Sequence, residues 1–272
     1  MAVLAKRKSN PEGRMSLVDH LLEFRNRVVK SAIALFLGAI IGWVLFDFVY
    51  EHLTAPLVAV AKSRGQEGQL VTLNYGGLTA PFSQRINLSI WVGVIVASPV
   101  WLYQAWAYIV PALTPKERKL SYAFIGSTIP LFAAGCAFGF WTLPKAVKIL
   151  LGFTPNGAAN LPDAALYFQT VTRFILVFGL TWILPVVLVG LIAVRIVPGR
   201  SLMRQWRPAI IGVFVVSAVV TPTPDPLTMF LMAAPLMVLY FLAALIGIRI
   251  DKRRDASAPS WTSVSDDQAS AL

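Results

Sequence analysis

The sequence is poor in charged side chains: 14% of its 272 residues are Asp, Glu, Lys or Arg, whereas 57% are hydrophobic. A soluble domain carries roughly a quarter charged residues, so this composition excludes an ordinary soluble fold and predicts an integral membrane protein. The chain also has a single cysteine, Cys136, within an apolar run. It has no partner for an intrachain disulfide, and we expect it to fill the core.

The signatures of most enzymes and cofactor-binding proteins are missing as well. The sequence has no glycine-rich phosphate loop, no paired cysteines, no HExxH and no GxSxG. Its two histidines, His20 and His52, flank the first apolar run, so they are predicted on opposite sides of a membrane and cannot form one metal site. The sequence therefore predicts no cofactor, no metal and no enzymatic activity. Any transport work must be powered by a gradient or by another subunit.

What the chain does contain is a series of apolar segments. Six are long or apolar enough to be membrane spans: about 31–50, 87–110, 121–143, 174–194, 209–224 and 227–248. The first is preceded by basic residues and followed by VAVAKS at 58–63, as in a secretory signal peptide. At about 20 residues it is longer than a signal sequence requires, which favours an uncleaved first helix. Prolines within or beside the later segments predict kinked helices.

The positive charges alternate between the connections. Of the 24 Lys plus Arg residues, 18 lie in 1–30, 114–120, 195–208 and 249–272, and six lie in the other connections. The positive-inside rule then places both termini in the cytoplasm. We interpret the net charge of +11 as contact with anionic lipid, and predict no nucleic-acid partner.

The stretch SLVDHLLEFRNRVVK, residues 16–30, leads into the first span. Its apolar residues recur at helical spacing, and His20, Glu23 and Arg27 recur on another face, which predicts an amphipathic helix at the cytoplasmic surface. Periodicity alone favours a helix that lies on lipid with Glu23 and Arg27 as a solvated ion pair. Taken alone, Glu117, within LTPKERKL at 113–120, is equally consistent with an ordinary loop carboxylate.

Four stretches occur in order around the six spans: DHLLEFRNR at 19–27, APL at 55–57, SPVWLYQAWAYIVPALTPKER at 98–118 and TPTPD at 221–225. In combination they make residues 15–254 resemble the TatC family, the multispanning subunit of the twin-arginine protein translocase. The resemblance implies a receptor for signal peptides with two consecutive arginines. It also implies small single-span partners of the TatA and TatB type, an oligomeric complex, and export of folded proteins driven by the proton-motive force.

The resemblance also assigns residues to a signal-peptide site. It implies that Glu23 and Glu117 recognise the two arginines, with Arg25 and Arg27 in the same site. Whether these two arginines keep the carboxylates ionised and aimed, or repel misplaced cations, stays open. His20 is placed in the same site, as is Tyr108, which stands where the family commonly has Phe.

Other positions are matched to structural or partner contacts. Pro56 matches a proline at a turn or helix bend after the first span. Asp225 matches an acidic residue at the outer turn between the last two helices, and Thr221 and Met229 match positions near the docking of partner helices. Ile183 stands where many relatives carry a membrane-buried glutamate, so its polar contact with a partner must be replaced or lost.

The resulting prediction is an all-α integral membrane protein of six kinked helices in the bacterial cytoplasmic membrane. Its parts are a basic extension at 1–14, a membrane domain at 15–254 and a disordered cytoplasmic tail at 255–272. The alternative is a six-span secondary transporter of small molecules. It is disfavoured because the predicted spans have almost no ionisable side chains.

Overall fold

The computed structural model describes residues 17–63, 73–109, 115–154, 162–220 and 226–256, and it describes only the backbone at 61–63, 109, 115–123 and 220. Ten helices follow one another in this part of the chain: α1 (Leu17–Val44), α2 (Phe46–Ser63), α3 (Ala80–Val96), α4 (Ser98–Ile109), α5 (Pro115–Gly152), α6 (Ala164–Trp182), α7 (Leu184–Ala193), α8 (Gly199–Arg204), α9 (Trp206–Val220) and α10 (Pro226–Ala256). The predicted all-α class is confirmed.

The helices account for all six predicted spans. Four stretches are long and apolar enough to cross a membrane: α1, α5 from Phe124, the combined α6 and α7, and α10. The pair α3 and α4 qualifies together as a bent span, and α9 is a shorter apolar helix. With 15 residues, α9 is only about 22 Å long at 1.5 Å per residue, shorter than a hydrocarbon core of roughly 30 Å.

Two features of the N-terminal region differ from the simplest expectation. The amphipathic stretch is not a separate element but the beginning of α1, which continues without a break into the first span. The connection after the first predicted span, at about 51–86, is partly helical, because α2 extends into it as far as Ser63, and Pro56 lies buried inside α2. A turn at Pro56 is therefore excluded. The predicted extension at 1–14 and the residues 257–272 of the predicted tail lie outside the described residues.

The predicted kinks have identifiable causes. The axes of α3 and α4 differ by 57°, and Pro99 stands in the first turn of α4, where its ring prevents α3 from continuing straight. The indole Nε1 of Trp101 donates to the carbonyl of Val94 across this bend at 2.9 Å. Similarly, α6 ends and α7 begins around Ile183, two residues before Pro185.

The chain divides into two compact units, Met1–Tyr50 with Thr79–Ile129 (unit 1) and Glu51–Leu78 with Pro130–Leu272 (unit 2). In unit 1, α1 packs closely on α3. A Cβ atom added at Gly38 would lie 2.7 Å from the carbonyl oxygen of Gly93, and one added at Gly93 would lie 2.6 Å from the backbone nitrogen of Ala39. Gly42 faces the backbone of Ser89 in the same way. Small residues four apart on both helices thus bring the two backbones together, as in other membrane helix pairs.

In unit 2, glycines allow a similarly close contact between α5 and α6. A Cβ at Gly135 would lie 2.6 Å from the carbonyl oxygen of Phe178, and Gly139 lies against the side chain of Phe178. From the other helix, Gly179 lies against Phe132 and Cys136. Cys136 is buried, so it fills the core as predicted.

Two connections in unit 2, the one that leads to α3 and the one that leads to α6, meet each other. Asn74 donates its backbone N–H to Pro162 and accepts from the backbone of Ala164, at 3.0 and 2.9 Å. Asp163 caps the start of α6 by accepting from the N–H of Leu166 at 2.9 Å. These bonds fix the start of α6 against the segment around Asn74.

Elsewhere in unit 2, α10 packs on α7 and α8. Ile192, Leu202, Tyr240 and Ala244 form its buried cluster. The Tyr240 hydroxyl donates to the carbonyl of Leu202 at 2.7 Å, and the guanidinium of Arg254 donates to the last carbonyls of α7. The last carbonyls of a helix have no donor within the helix. Tyr240 and Arg254 supply donors to such carbonyls near the ends of α8 and α7.

The close approach of α1 and α3 can be tested by replacing a glycine at the contact with alanine, which adds one methyl group. Gly38→Ala should lower the free energy of unfolding by about 1–3 kcal/mol, because the methyl meets rigid backbone of α3. The matched change Gly126→Ala, where nothing lies within 4 Å, should be neutral or stabilising by up to about 1 kcal/mol. Denaturant unfolding of the purified chain in detergent measures both. Equal effects of the two changes would contradict the packing described.

Candidate functional site

The first half of α1 presents its polar face to the rest of unit 1. His20, Glu23 and Arg27 are half-buried, whereas the apolar residues Leu21 and Phe24 are exposed. Farther along the helix, Gly38 and Gly42 on α1 face α3 and are buried. This is the reverse of a soluble amphipathic helix, because in a membrane the apolar face can contact lipid while polar and small residues meet neighbouring helices. The ion pair of Glu23 and Arg27 is therefore half-buried and not solvated, whereas contact of the apolar face with lipid stays a prediction.

Glu23 and Arg27 form the predicted ion pair, and the pair reaches a second helix. Arg27 Nη2 lies 2.6 Å from Glu23 Oε1, with 18% of the Glu23 side chain and 21% of the Arg27 side chain exposed. Arg27 Nε donates to the same oxygen at 3.2 Å. Arg27 Nη1 donates to Gln104 Oε1 on α4 at 3.3 Å. A chain of three side chains therefore links α1 to α4.

The second carboxylate oxygen of Glu23 is different. Glu23 Oε2 is buried and has no hydrogen-bond partner among the described residues. A buried carboxylate oxygen without a donor is costly, since it has lost water without replacement. Glu23 therefore has one carboxylate oxygen that no described residue satisfies.

Tyr108 on α4 contacts aromatic side chains on the same helix as Glu23. Its ring stacks on His20 with centroids 4.4 Å apart, and it contacts Phe24 at 5.5 Å. The structure thus brings together four of the predicted site residues, namely His20, Glu23, Arg27 and Tyr108.

An apolar groove runs between α1 and α4 next to the ion pair. It has a volume of about 490 Å³, and these residues line it: Phe24, Arg27, Val28, Ser31, Ala32, Leu35, Trp101, Gln104, Ala105 and Tyr108. The groove has room for several apolar side chains, and its polar groups are concentrated at Arg27 and Gln104.

The start of α5 is joined to α4 within unit 1. The indole of Trp106 donates to Thr128 Oγ1 at 3.2 Å and stacks on Phe124 with centroids 6.0 Å apart. Glu117 lies in the first turn of α5, so its backbone is helical. The Glu117 side chain lies outside the described part, and its meeting with Glu23 stays a prediction.

The remaining predicted residues are spread over the chain. Arg25 is exposed, and none of the described contacts involves its side chain. Ile183 and Met229 are half-buried in unit 2, at the break between α6 and α7 and in the first turn of α10. Thr221 and Asp225 lie outside the described residues.

Sequence reasoning missed Gln104. Its signal was present: it is the one amide side chain in SPVWLYQAWAYI, the sequence of α4. A strongly polar residue in an apolar membrane helix marks a buried contact or a functional site. Among the described residues, no group of His, Cys, Asp and Glu could hold a metal ion.

These features define a class of protein. It is a multi-pass α-helical membrane protein in which α1 and α4 enclose an apolar groove, with the half-buried carboxylate of Glu23 on α1. Residues 19–235 match the model of the family described as Sec-independent protein translocase protein (TatC). The chain belongs to the TatC family and is a component of a protein translocase. The comparisons do not support the alternative of a small-molecule transporter.

Relatives of the same name cover nearly the whole chain. The Sec-independent protein translocase protein TatC of Rothia mucilaginosa is 39% identical over 262 residues, which are 96% of this chain and 88% of the relative. The protein of that name from Xylanimonas cellulosilytica is 41% identical over 242 residues, covering 89% of this chain and 87% of the relative.

Solved structures show the same fold. A crystal structure of the twin arginine translocase receptor TatC in DDM superposes with a TM-score of 0.70 at 32% identity, over 84% of this chain and 99% of the other. A second crystal structure of that receptor gives a TM-score of 0.69 at 33% identity, over 84% and 97%.

The burial of the ion pair predicts different effects for two neighbouring arginines. Arg27→Met leaves the half-buried Glu23 without its donors and should lower the free energy of unfolding by about 1–3 kcal/mol. Arg25→Met, at an exposed position on the same helix, should change it by less than about 0.5 kcal/mol. Unfolding of both variants in detergent measures the difference. A loss at Arg25 as large as at Arg27 would refute the geometry of the pair.

Proposed function

We propose that the chain is the receptor subunit of a twin-arginine translocase and binds the paired arginines of signal peptides with Glu23. The observation that carries this proposal is the buried Glu23 Oε2 without a described partner. A guanidinium from a peptide supplies the missing donors. The partial burial of Glu23 strengthens that contact relative to one in water.

The chemistry favours arginine over lysine. A guanidinium is planar and presents several N–H groups in a fixed fork, so two of them can reach a carboxylate group together. Lysine offers a compact ammonium that is more strongly hydrated and costs more to bring into a half-buried site. Glu117, on a separate helix, is proposed to accept the second arginine.

The groove beside Glu23 suits the apolar residues that follow the arginines in such a peptide. Tyr108 and Phe24 both line the groove and contact each other, and an apolar side chain next to the arginines is proposed to pack on them. His20 supports Tyr108 by ring stacking. The exposed Arg25 repels cations that approach outside the acceptor, whereas Arg27 aims the carboxylate.

The translocase is proposed to contain TatA- and TatB-type single-span subunits, to form an oligomeric complex, and to use the proton-motive force. We attribute no catalytic step to this chain. Ile183 replaces the glutamate of many relatives, so a partner helix docks there through apolar packing. Met229 is proposed to contribute to the same docking region, together with Thr221 and Asp225.

The receptor function is tested by peptide binding to the purified chain in lipid nanodiscs. A fluorescent peptide with two consecutive arginines before an apolar segment should bind, and its twin-lysine counterpart should bind at least about tenfold more weakly. Glu23→Gln should weaken binding of the arginine peptide by about tenfold or more, because a charge-assisted hydrogen bond is lost. Glu117→Gln should weaken it as well.

Glu51→Gln is the matched control, because Glu51 is an exposed carboxylate on α2. It should leave binding unchanged. If both Glu23→Gln and Glu117→Gln bind the arginine peptide as tightly as the unsubstituted chain, the receptor assignment is wrong.

The proposed location is the bacterial cytoplasmic membrane, with both termini in the cytoplasm. Because Cys136 is the single cysteine and is buried, introduced cysteines can be labelled selectively. In intact spheroplasts a membrane-impermeant maleimide should label Glu51→Cys, whereas Lys252→Cys should react only after lysis. The reverse pattern would overturn the orientation.

A further inference from the structure

The way in which Arg27 holds Glu23 is unusual for an ion pair of this type. Its Nε and Nη2 both donate to Oε1, at 3.2 and 2.6 Å. A guanidinium and a carboxylate that pair freely tend to form two parallel hydrogen bonds, one to each oxygen. Here one oxygen receives both donors and the other receives none from the described residues.

Gln104 accounts for this geometry. Its Oε1 accepts from Arg27 Nη1 at 3.3 Å, so each of the three guanidinium nitrogens is engaged. Two of these bonds go to α1 and one to α4, which fixes the plane of the guanidinium between the helices. Without the tether, Arg27 could turn about its flexible side chain and engage both oxygens of Glu23, which would close the acceptor.

We infer that Gln104 is a positioning residue which, by holding Arg27, keeps Oε2 of Glu23 open for an incoming guanidinium. This inference rests on the proposed receptor function and adds to it a determinant of specificity for arginine. Gln104 acts through Arg27 and Glu23, and its contribution to binding depends on its amide oxygen.

The competing explanation is that Gln104 merely fills space between α1 and α4. Two substitutions of similar size separate these roles. Gln104→Met keeps the length of the side chain but removes the acceptor, whereas Gln104→Glu keeps an oxygen that accepts from Arg27. A space-filling role predicts that both variants behave alike.

The experiment measures the affinity of the full-length chain in nanodiscs for the twin-arginine peptide and for its twin-lysine counterpart. Gln104→Met should bind the arginine peptide about tenfold more weakly, and its preference for arginine over lysine should shrink severalfold. Gln104→Glu should stay within about threefold of the unsubstituted chain in both respects. Gln169→Met, which replaces an exposed glutamine on α6, is the matched control and should change neither value.

Thermal unfolding of each variant shows that the binding data come from folded protein. If Gln104→Met does not fold, Gln104→Asn takes its place, because the shorter side chain does not reach Arg27 and should show the same loss. Wild-type affinity in Gln104→Met, or equal losses in Gln104→Met and Gln104→Glu, would overturn the inference.

These outcomes are distinct from failure of the receptor function. If Glu23→Gln abolishes binding of the arginine peptide while Gln104→Met leaves it unchanged, the receptor function is supported and the proposed role of Gln104 is wrong. If the unsubstituted chain shows no preference for the arginine peptide, both the receptor function and the role of Gln104 are wrong.

Discussion

The close contact between α1 and α3 is the constraint on which the rest of unit 1 depends. Gly38 and Gly93 bring the two backbones so near that an added Cβ would clash with main-chain atoms. From this contact the chain turns by 57° into α4, which carries Gln104 to Arg27. The small residues thus determine which side chains meet at the end of the helix pair, although none of them contacts a ligand. In a bilayer, where apolar side chains gain little by leaving lipid, such backbone proximity is a main source of helix association.

The candidate site combines this packing with an incomplete ion pair. Arg27 pairs with Glu23 through only one of its carboxylate oxygens, while Arg27 and Tyr108 both line an apolar groove. A ligand that offers a planar cation followed by apolar residues satisfies both parts. The same arrangement disfavours ligands with only one of these properties, because either the buried oxygen then stays without a donor or the apolar groove stays unfilled.

Much of this fold can be predicted from the sequence, because it depends on local patterns of residues. The six apolar segments and the pairing of Glu23 with Arg27 come from hydropathy and helical spacing, which depend on local order alone. Periodicity showed that α1 has two faces but not which one meets protein, since lipid and protein interior are both apolar. The 57° bend and the approach of Gln104 depend on tertiary packing around Pro99 and Gly93. The side-chain position of Glu117 stays a prediction.

The distance between the glycine contact and the ion pair has a mechanical consequence. Glu23 lies 15 residues before Gly38, or about 22 Å along α1 at 1.5 Å per residue. If the helix between them stays rigid, a tilt of α1 by about 3° at Gly38 displaces Glu23 by about 1 Å. A displacement of that size is enough to make or break a hydrogen bond. A small change in the packing of α1 on α3 can therefore alter the hydrogen bonds between Glu23, Arg27 and Gln104.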